Sequence, residues 1–149
     1  MKFSTRTLYG LKAILVLAGR YGEGSLSVSH IAKKEDISVP YLEQILNALK
    51  KKGMVRSVRG PQGGYVLAEK PSDITLHGLL FALEEKPELP NVSGNGQNDE
   101  TAAACSIFCS KFVNAVEAGL SGVTLKTLLD EAGQSRKTGK RPGHSTFHI

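Results

Sequence analysis

Residues 37–67, ISVPYLEQILNALKKKGMVRSVRGPQGGYVL, constrain the fold more than any other stretch. They open on a helix-start signal. Ser38 is a candidate N-cap, Pro40 falls near the first helical position, where its missing N–H costs nothing, and Glu43 lies in the first turns, where the helix dipole favours an acid. Leu42, Ile45, Leu46 and Leu49 recur at helical spacing and predict one buried face. Lys50, Lys51 and Lys52 follow in the last turn, where cations are favoured, and Gly53 supplies a stop. Two short β-prone runs, Val55 to Val58 and Tyr65 to Leu67, then flank Arg59-Gly60-Pro61-Gln62-Gly63-Gly64 and predict a hairpin. An amphipathic helix that ends in cations and leads directly into a basic, glycine-rich hairpin has the element order of a winged helix–turn–helix.

The remaining pattern is helical. Phe3, Thr7, Leu8, Leu11, Ile14, Leu15 and Leu17–Ala18 form an apolar stripe and predict a helix over residues 3–20. A turn at 21–25 precedes a short second helix over 28–34, capped by Ser27 or Ser29, with Ile31 and Ala32 facing inward and Glu35 and Asp36 in the turn after it. Ser72 or Asp73 starts a fourth helix over 76–84. Residues 86–101 are polar and carry two prolines and two glycines, which reads as a loop or linker. Ile107, Phe108, Phe112, Val113, Val116 and Leu120 predict a fifth helix over 102–120. Thr124 starts a sixth that ends near residue 132. The expected fold class is therefore mainly α with a small β-hairpin. The expected units are a winged helix–turn–helix domain at 1–84, a flexible loop at 85–101, dimerisation and sensory helices at 102–133, and a disordered basic tail at 134–149.

Charge is divided unevenly along the chain. Residues 1–70 hold 12 Lys and Arg against 5 Asp and Glu, residues 71–133 hold 3 against 9, and residues 134–149 hold 4 against none. A basic first half and an acidic second half fit a nucleic-acid-binding module joined to a segment with another task. No unbroken run approaches the roughly 18 apolar residues of a membrane-spanning helix. The first residues imitate a secretion signal, but Lys12 and Arg20 interrupt the apolar stretch, and its helical spacing makes it a core helix. Two cysteines are too few for a disulfide scaffold, so a cytoplasmic, reducing location is expected. No phosphate-binding loop, catalytic triad or paired-carboxylate pattern is present, so the sequence offers neither an enzyme site nor a small-molecule substrate. His144 and His148 share helical spacing but sit in the glycine- and proline-bearing tail, which points to a solvated segment.

The residues fit double-stranded DNA. A helix fits the major groove and reads it with side chains near its N-terminus, here Ser38, Pro40, Tyr41, Glu43 and Gln44. Gln44 suits a bidentate contact to adenine, Glu43 accepts from cytosine N4, and Tyr41 offers a hydroxyl to a phosphate. Lys50, Lys51, Lys52 and Arg56 supply the counter-charge that makes affinity fall with salt. Arg59, flanked by small residues, can enter a narrow minor groove. Gly60 and Gln62 complete the set at the hairpin tip. The competing reading is a winged helix used as a protein–protein module, with the acidic second half as its working surface. It predicts that the cations Lys50–Lys52, Arg56 and Arg59 are paired off or buried.

SVPYLEQIL, GMVRSVRGPQGGY and the opening KFSTRTLYGLKAI resemble the IscR/NsrR/CymR family of bacterial transcription regulators, the Rrf-type winged-helix proteins. The likeness is strong over residues 1–84 and weaker from the fifth helix onward. It implies a homodimer with a long C-terminal dimerisation helix on a palindromic operator, Tyr41, Glu43 and Gln44 on the recognition helix, and Arg59 as the wing arginine. Pro40 stands where the family often has a small polar residue, a change that would remove one contact. Many members of the family carry three cysteines between the fourth and fifth helices and hold an iron–sulfur cluster with one further ligand. Here residues 86–101 contain no cysteine. Only Cys105 and Cys109 remain, at narrower spacing, and no histidine follows in the fifth helix. The family's other route, an acid and a histidine from the first helix, is closed because residues 3–20 contain neither. A cluster needs about four ligands. Two cysteines supply half a set unless Asp99, Glu100, His77 or a partner chain contributes. At i, i+4 the two thiols share a helix face, and three roles stay open for them: core packing, a redox switch, or metal binding.

Overall fold

The computed structural model describes residues 4–84 and 100–139. In chain order its elements are α1 (Thr5–Ala18), α2 (Val28–Glu35), α3 (Val39–Lys51), β1 (Val55–Val58), β2 (Gly64–Leu67), α4 (Leu76–Leu83), α5 (Glu100–Ser121) and α6 (Leu125–Thr138).

Hydroxyl caps set four of the helix starts. The side chains of Ser4, Ser27, Thr75 and Thr124 accept from the backbone N–H of Thr7, His30, Gly78 and Thr127. Each bond satisfies one of the amides that a first turn leaves without an intrahelical partner. The second helix is thus capped by Ser27, not Ser29, and includes Glu35. Asp36 ends it in a left-handed conformation at φ 55°. α4 starts at Leu76 as expected, but its cap is Thr75, not Ser72 or Asp73, which lie in a turn at 71–73 before Thr75 bridges Thr124.

The core forms where α1, α2 and α3 meet the hairpin and α4. Ile14, Ile31, Leu42, Ile45, Leu46, Leu49 and Val55 are buried almost completely. Leu8, expected on the apolar stripe of α1, is 49% exposed instead. Gly10 is buried, and Leu83 of α4 packs against it so closely that a Cβ there would overlap the leucine side chain.

β1 and β2 pair antiparallel in the register Val55↔Leu67, Arg56↔Val66, Ser57↔Tyr65 and Val58↔Gly64. Leu26 adds a third strand position, exchanging both backbone hydrogen bonds with Tyr65 at 3.0 and 2.8 Å.

The last helices return to the same core. Leu76 N–H donates to Val123 O, Leu125 N–H to Ile74 O and Lys126 N–H to Pro71 O. Leu125 is completely buried with the residues of the first 84. α6 continues past residue 132 to Thr138, so residues 134–138 are helical. Arg136 and Lys137 in its last turn suit the dipole, and Gly139 stops it in the left-handed region.

α5 differs from the rest. It buries none of its 22 residues, and Ile107, Phe108 and Phe112 are 57%, 70% and 50% exposed. It is also long and apolar enough to cross a membrane by length and composition alone, although, as expected, it holds no long unbroken apolar run. Ser106, Ser110, Lys111, Asn114 and Glu117 break every long apolar run, while its alanines raise the average. Residues 85–99 and 140–149, which include most of the expected loop and tail, lie outside the described residues.

Candidate nucleic-acid interface

α3 turns its leucines and isoleucine inward, and at about 100° per residue this forces the intervening polar residues outward. Ser38, Pro40, Glu43, Gln44, Asn47, Lys50 and Lys51 are all exposed. Ser38 is the N-cap residue, but its hydroxyl makes no capping bond. The capping expectation is therefore half right. Pro40 sits in the first turn as expected. The ring of Tyr41 is half-buried against the core and meets Tyr9 edge-on at 6.0 Å. It anchors the start of α3 more than it extends from it. Asn47 is an outward residue that neither the helix-start signal nor the charge pattern marks. Its spacing, i+4 from Glu43 and i+3 from Gln44, does mark it.

Lys50 and Lys51 lie in the last turn, and Lys52 is the C-cap, its N–H donating to Ala48 O. Lys50 is not a free side chain, because its Nζ donates to Ser57 Oγ on β1 at 2.8 Å. Strand alternation turns Arg56 to the hairpin face opposite Ser57, and Arg56 is exposed there. Arg59 and Gln62 are exposed at the tip. Gly63 N–H donates to Gly60 O at 2.9 Å, and Ser25 Oγ donates to the carbonyl oxygen of Gln62. The wing tip is thus tied back to the turn between α1 and α2, a link between residues too far apart in sequence for any local motif to reveal.

Ion pairs leave this surface uncompensated. The pairs among the described residues are Lys12–Glu35, Arg20–Glu23, His77–Glu117 and Lys126–Asp130. None uses Lys50, Lys51, Lys52, Arg56 or Arg59, and all five are exposed. The helix face and the wing therefore carry five exposed cations that form no ion pair among the described residues, beside the acid Glu43. This is the pattern expected for a polyanion and the opposite of what the protein-module reading predicts.

The cysteines lie apart, on α5. Cys105 is exposed and Cys109 half-buried, both as free thiols. No residue of α5 is buried, so among the described residues the thiols are not part of the hydrophobic core. Among the described residues no group of three or more His, Cys, Asp and Glu is placed to hold a metal ion. The described residues therefore do not fit an iron–sulfur cluster, and neither His77 nor Glu100 completes the set.

Known proteins share this arrangement. The profile of the Rrf2 family, described as an iron-dependent transcriptional regulator, matches residues 3–131. The HTH-type transcriptional regulator CymR of Bacillus subtilis is 43% identical over 84 residues, which is 56% of this chain and 61% of that protein's length. The chain thus matches about three fifths of that relative's length. Among solved structures, that of CymR, titled the global cysteine regulator of B. subtilis, is similar with a TM-score of 0.71 and 34% identity. It covers 88% of this chain and 98% of that one. T. potens IscR is similar with a TM-score of 0.74 and 33% identity over 99% of this chain and 97% of its own. A profile match across most of the chain, joined to the winged-helix architecture, shows that the chain belongs to the Rrf2 family of transcriptional regulators, a non-enzymatic family.

Proposed function

We propose that the chain acts as a homodimer that binds a palindromic DNA operator in the cytoplasm and represses transcription from it. The observation that carries this reading is the outward polar face of α3 beside the wing's Arg59, all of it exposed and free of ion pairs. In this reading Ser38, Pro40, Glu43 and Gln44 meet the major groove. Lys50, Lys51, Lys52 and Arg56 neutralise phosphates, Arg59 enters the minor groove, and Gly60 and Gln62 let the wing tip approach the backbone. Tyr41 holds the start of α3 in register through its ring. A two-fold pair of such helices places half-sites about 34–36 Å apart.

The test is a salt titration of binding to a duplex that the protein itself selects. Affinity should fall log-linearly with salt, with a slope of about −0.9 per neutralised phosphate. Arg59→Ala should weaken binding by about 1–3 kcal/mol. Affinity indifferent to both salt and sequence would sink the reading.

Cys105 and Cys109 are the proposed sensory pair, as thiols open to redox change or to a soft metal. Alkylating both and finding DNA affinity unchanged would remove that role.

A further inference from the structure

The wing is docked on α3 by two side-chain bonds that form one unit. Ser57 and Tyr65 are cross-strand partners in the hairpin. Ser57 accepts from Lys50 Nζ at 2.8 Å, and Tyr65 Oη donates to Asn47 Oδ1 at 3.5 Å. Asn47 and Lys50 are neighbours at i, i+3, so one pair of strand residues grips one edge of the helix. Tyr65 is itself fixed by its backbone bonds to Leu26.

Asn47, like Lys50 and Ser57, is exposed in this clasp. At about 100° and 1.5 Å per residue, it falls between Glu43 and Gln44 around the helix and about 4.5–6 Å beyond them along it. It is exposed, and it borders the cleft between the recognition helix and the wing. An unconstrained asparagine reads adenine by offering its oxygen to N6–H and its amide to N7 at once. Here the Tyr65 hydroxyl takes one of the two lone pairs of that oxygen, which orients the amide and leaves the second lone pair and the Nδ2 donor for a base.

We propose that Asn47 is a further base-reading residue. In this role its amide, oriented by Tyr65, accepts from N6–H and donates to N7 of adenine on the major-groove edge. The inference rests on the DNA-binding reading above and adds a residue and a base preference to it. Asn47 makes the contact, and Tyr65 is a positioning residue.

The experiment is selection from a random-sequence duplex pool by the full-length wild type, Asn47→Ala and Tyr65→Phe, with circular dichroism to show that both variants are folded. On the duplex selected by the wild type, Asn47→Ala should bind about 25-fold more weakly, the worth of about one neutral hydrogen bond in each of the two half-sites. It should lose base preference at one position in each half-site and keep the rest of the motif. Tyr65→Phe releases the amide to rotate and should broaden the preference for adenine at that same position. If Asn47→Ala selects the unchanged motif with unchanged affinity, the proposal is overturned. A uniform loss at every sequence would make Asn47 a phosphate contact and overturn base reading. Tyr65→Phe with wild-type preference would overturn the orienting role. A wild type that enriches no motif would overturn the DNA-binding reading itself, a result that none of the variant outcomes imitates.

Discussion

A Cβ on Gly64 would overlap the carbonyl oxygen of Leu26, and one on Gly63 would lie 2.7 Å from the carbonyl oxygen of Val58. Both obstacles are backbone, so neither can be relieved by a rotamer change. Gly64→Ala should therefore break the two hydrogen bonds that Leu26 and Tyr65 exchange, destabilising the protein by about 1–3 kcal/mol. Chemical denaturation measures the loss, and faster amide exchange at Leu26 and Tyr65 localises it. Gly133→Ala is the control. A Cβ there meets nothing within 4 Å in the middle of α6, so the change should be neutral or stabilise by up to about 1 kcal/mol. If both alanines behave alike, the close approach at the wing is not what requires glycine. The Gly63-Gly64 pair was legible in the sequence as a turn, but the reason for the second glycine was not. It lies in a strand contact with residue 26, which local sequence does not encode. Asn47 was hidden for a related reason: its spacing was visible, but the tyrosine that orients it comes from another element.

At the scale of elements, α1 and α4 are held together end to end. The carboxylate of Glu84, the C-cap residue of α4, accepts hydrogen bonds from the hydroxyls of Ser4 and Thr7 at the start of α1. These bonds, Ser4 first and Thr7 next, with a smaller contribution from Arg6, hold its pKa below the ordinary 4.5 against a modest desolvation. A depressed folded-state pKa means that the stabilisation is complete above the unfolded value and is lost as pH falls through the folded one. The stability difference between wild type and Glu84→Gln should therefore be constant from neutral pH down to about 5 and then shrink on further acidification. Urea midpoints for the two proteins at several pH values check this, and a difference that grows toward acid would contradict the clasp. Helix existence, the buried face of α3 and the hairpin could all be read from periodicity and turn residues. Helix ends were legible only where the signal is local. Ser27 and Thr124 are caps whose bonds lie within one turn. The cap of α4 depends on a bridge to Thr124, and the length of α6 depends on a dipole-favoured last turn that a glycine-containing basic sequence disguises.

For the molecule as a whole, α5 poses a problem that the chain cannot solve alone. Most helical stability in proteins comes from packing of an amphipathic face, yet α5 buries no residue and exposes Ile107, Phe108 and Phe112. Covering one such side chain is worth about 1.5–3 kcal/mol, enough for a few of them to hold two copies together. Only the N-terminal side of the helix shows this excess. Toward its other end Glu117 lies 3.8 Å from His77 of α4, and Val123 pairs with Leu76, so the helix is rooted on its own domain where it leads into α6. A second copy packed on Ile107, Phe108 and Phe112 would leave both winged domains attached by short, firm connections, which is what a fixed half-site spacing requires. The double variant Phe108→Glu, Phe112→Glu should sediment as a monomer and lose helical signal as α5 frays, while the core around Ile14, Leu46 and Leu125 stays folded. Because two linked half-site contacts act with an effective concentration that two separate ones lack, its affinity for the two-fold duplex should fall by about 10²–10⁴, and its affinity for a single half-site should not change. A variant that stays dimeric, or one that is monomeric yet binds the full duplex as tightly as wild type, would remove α5 from the interface or the dimer from the function.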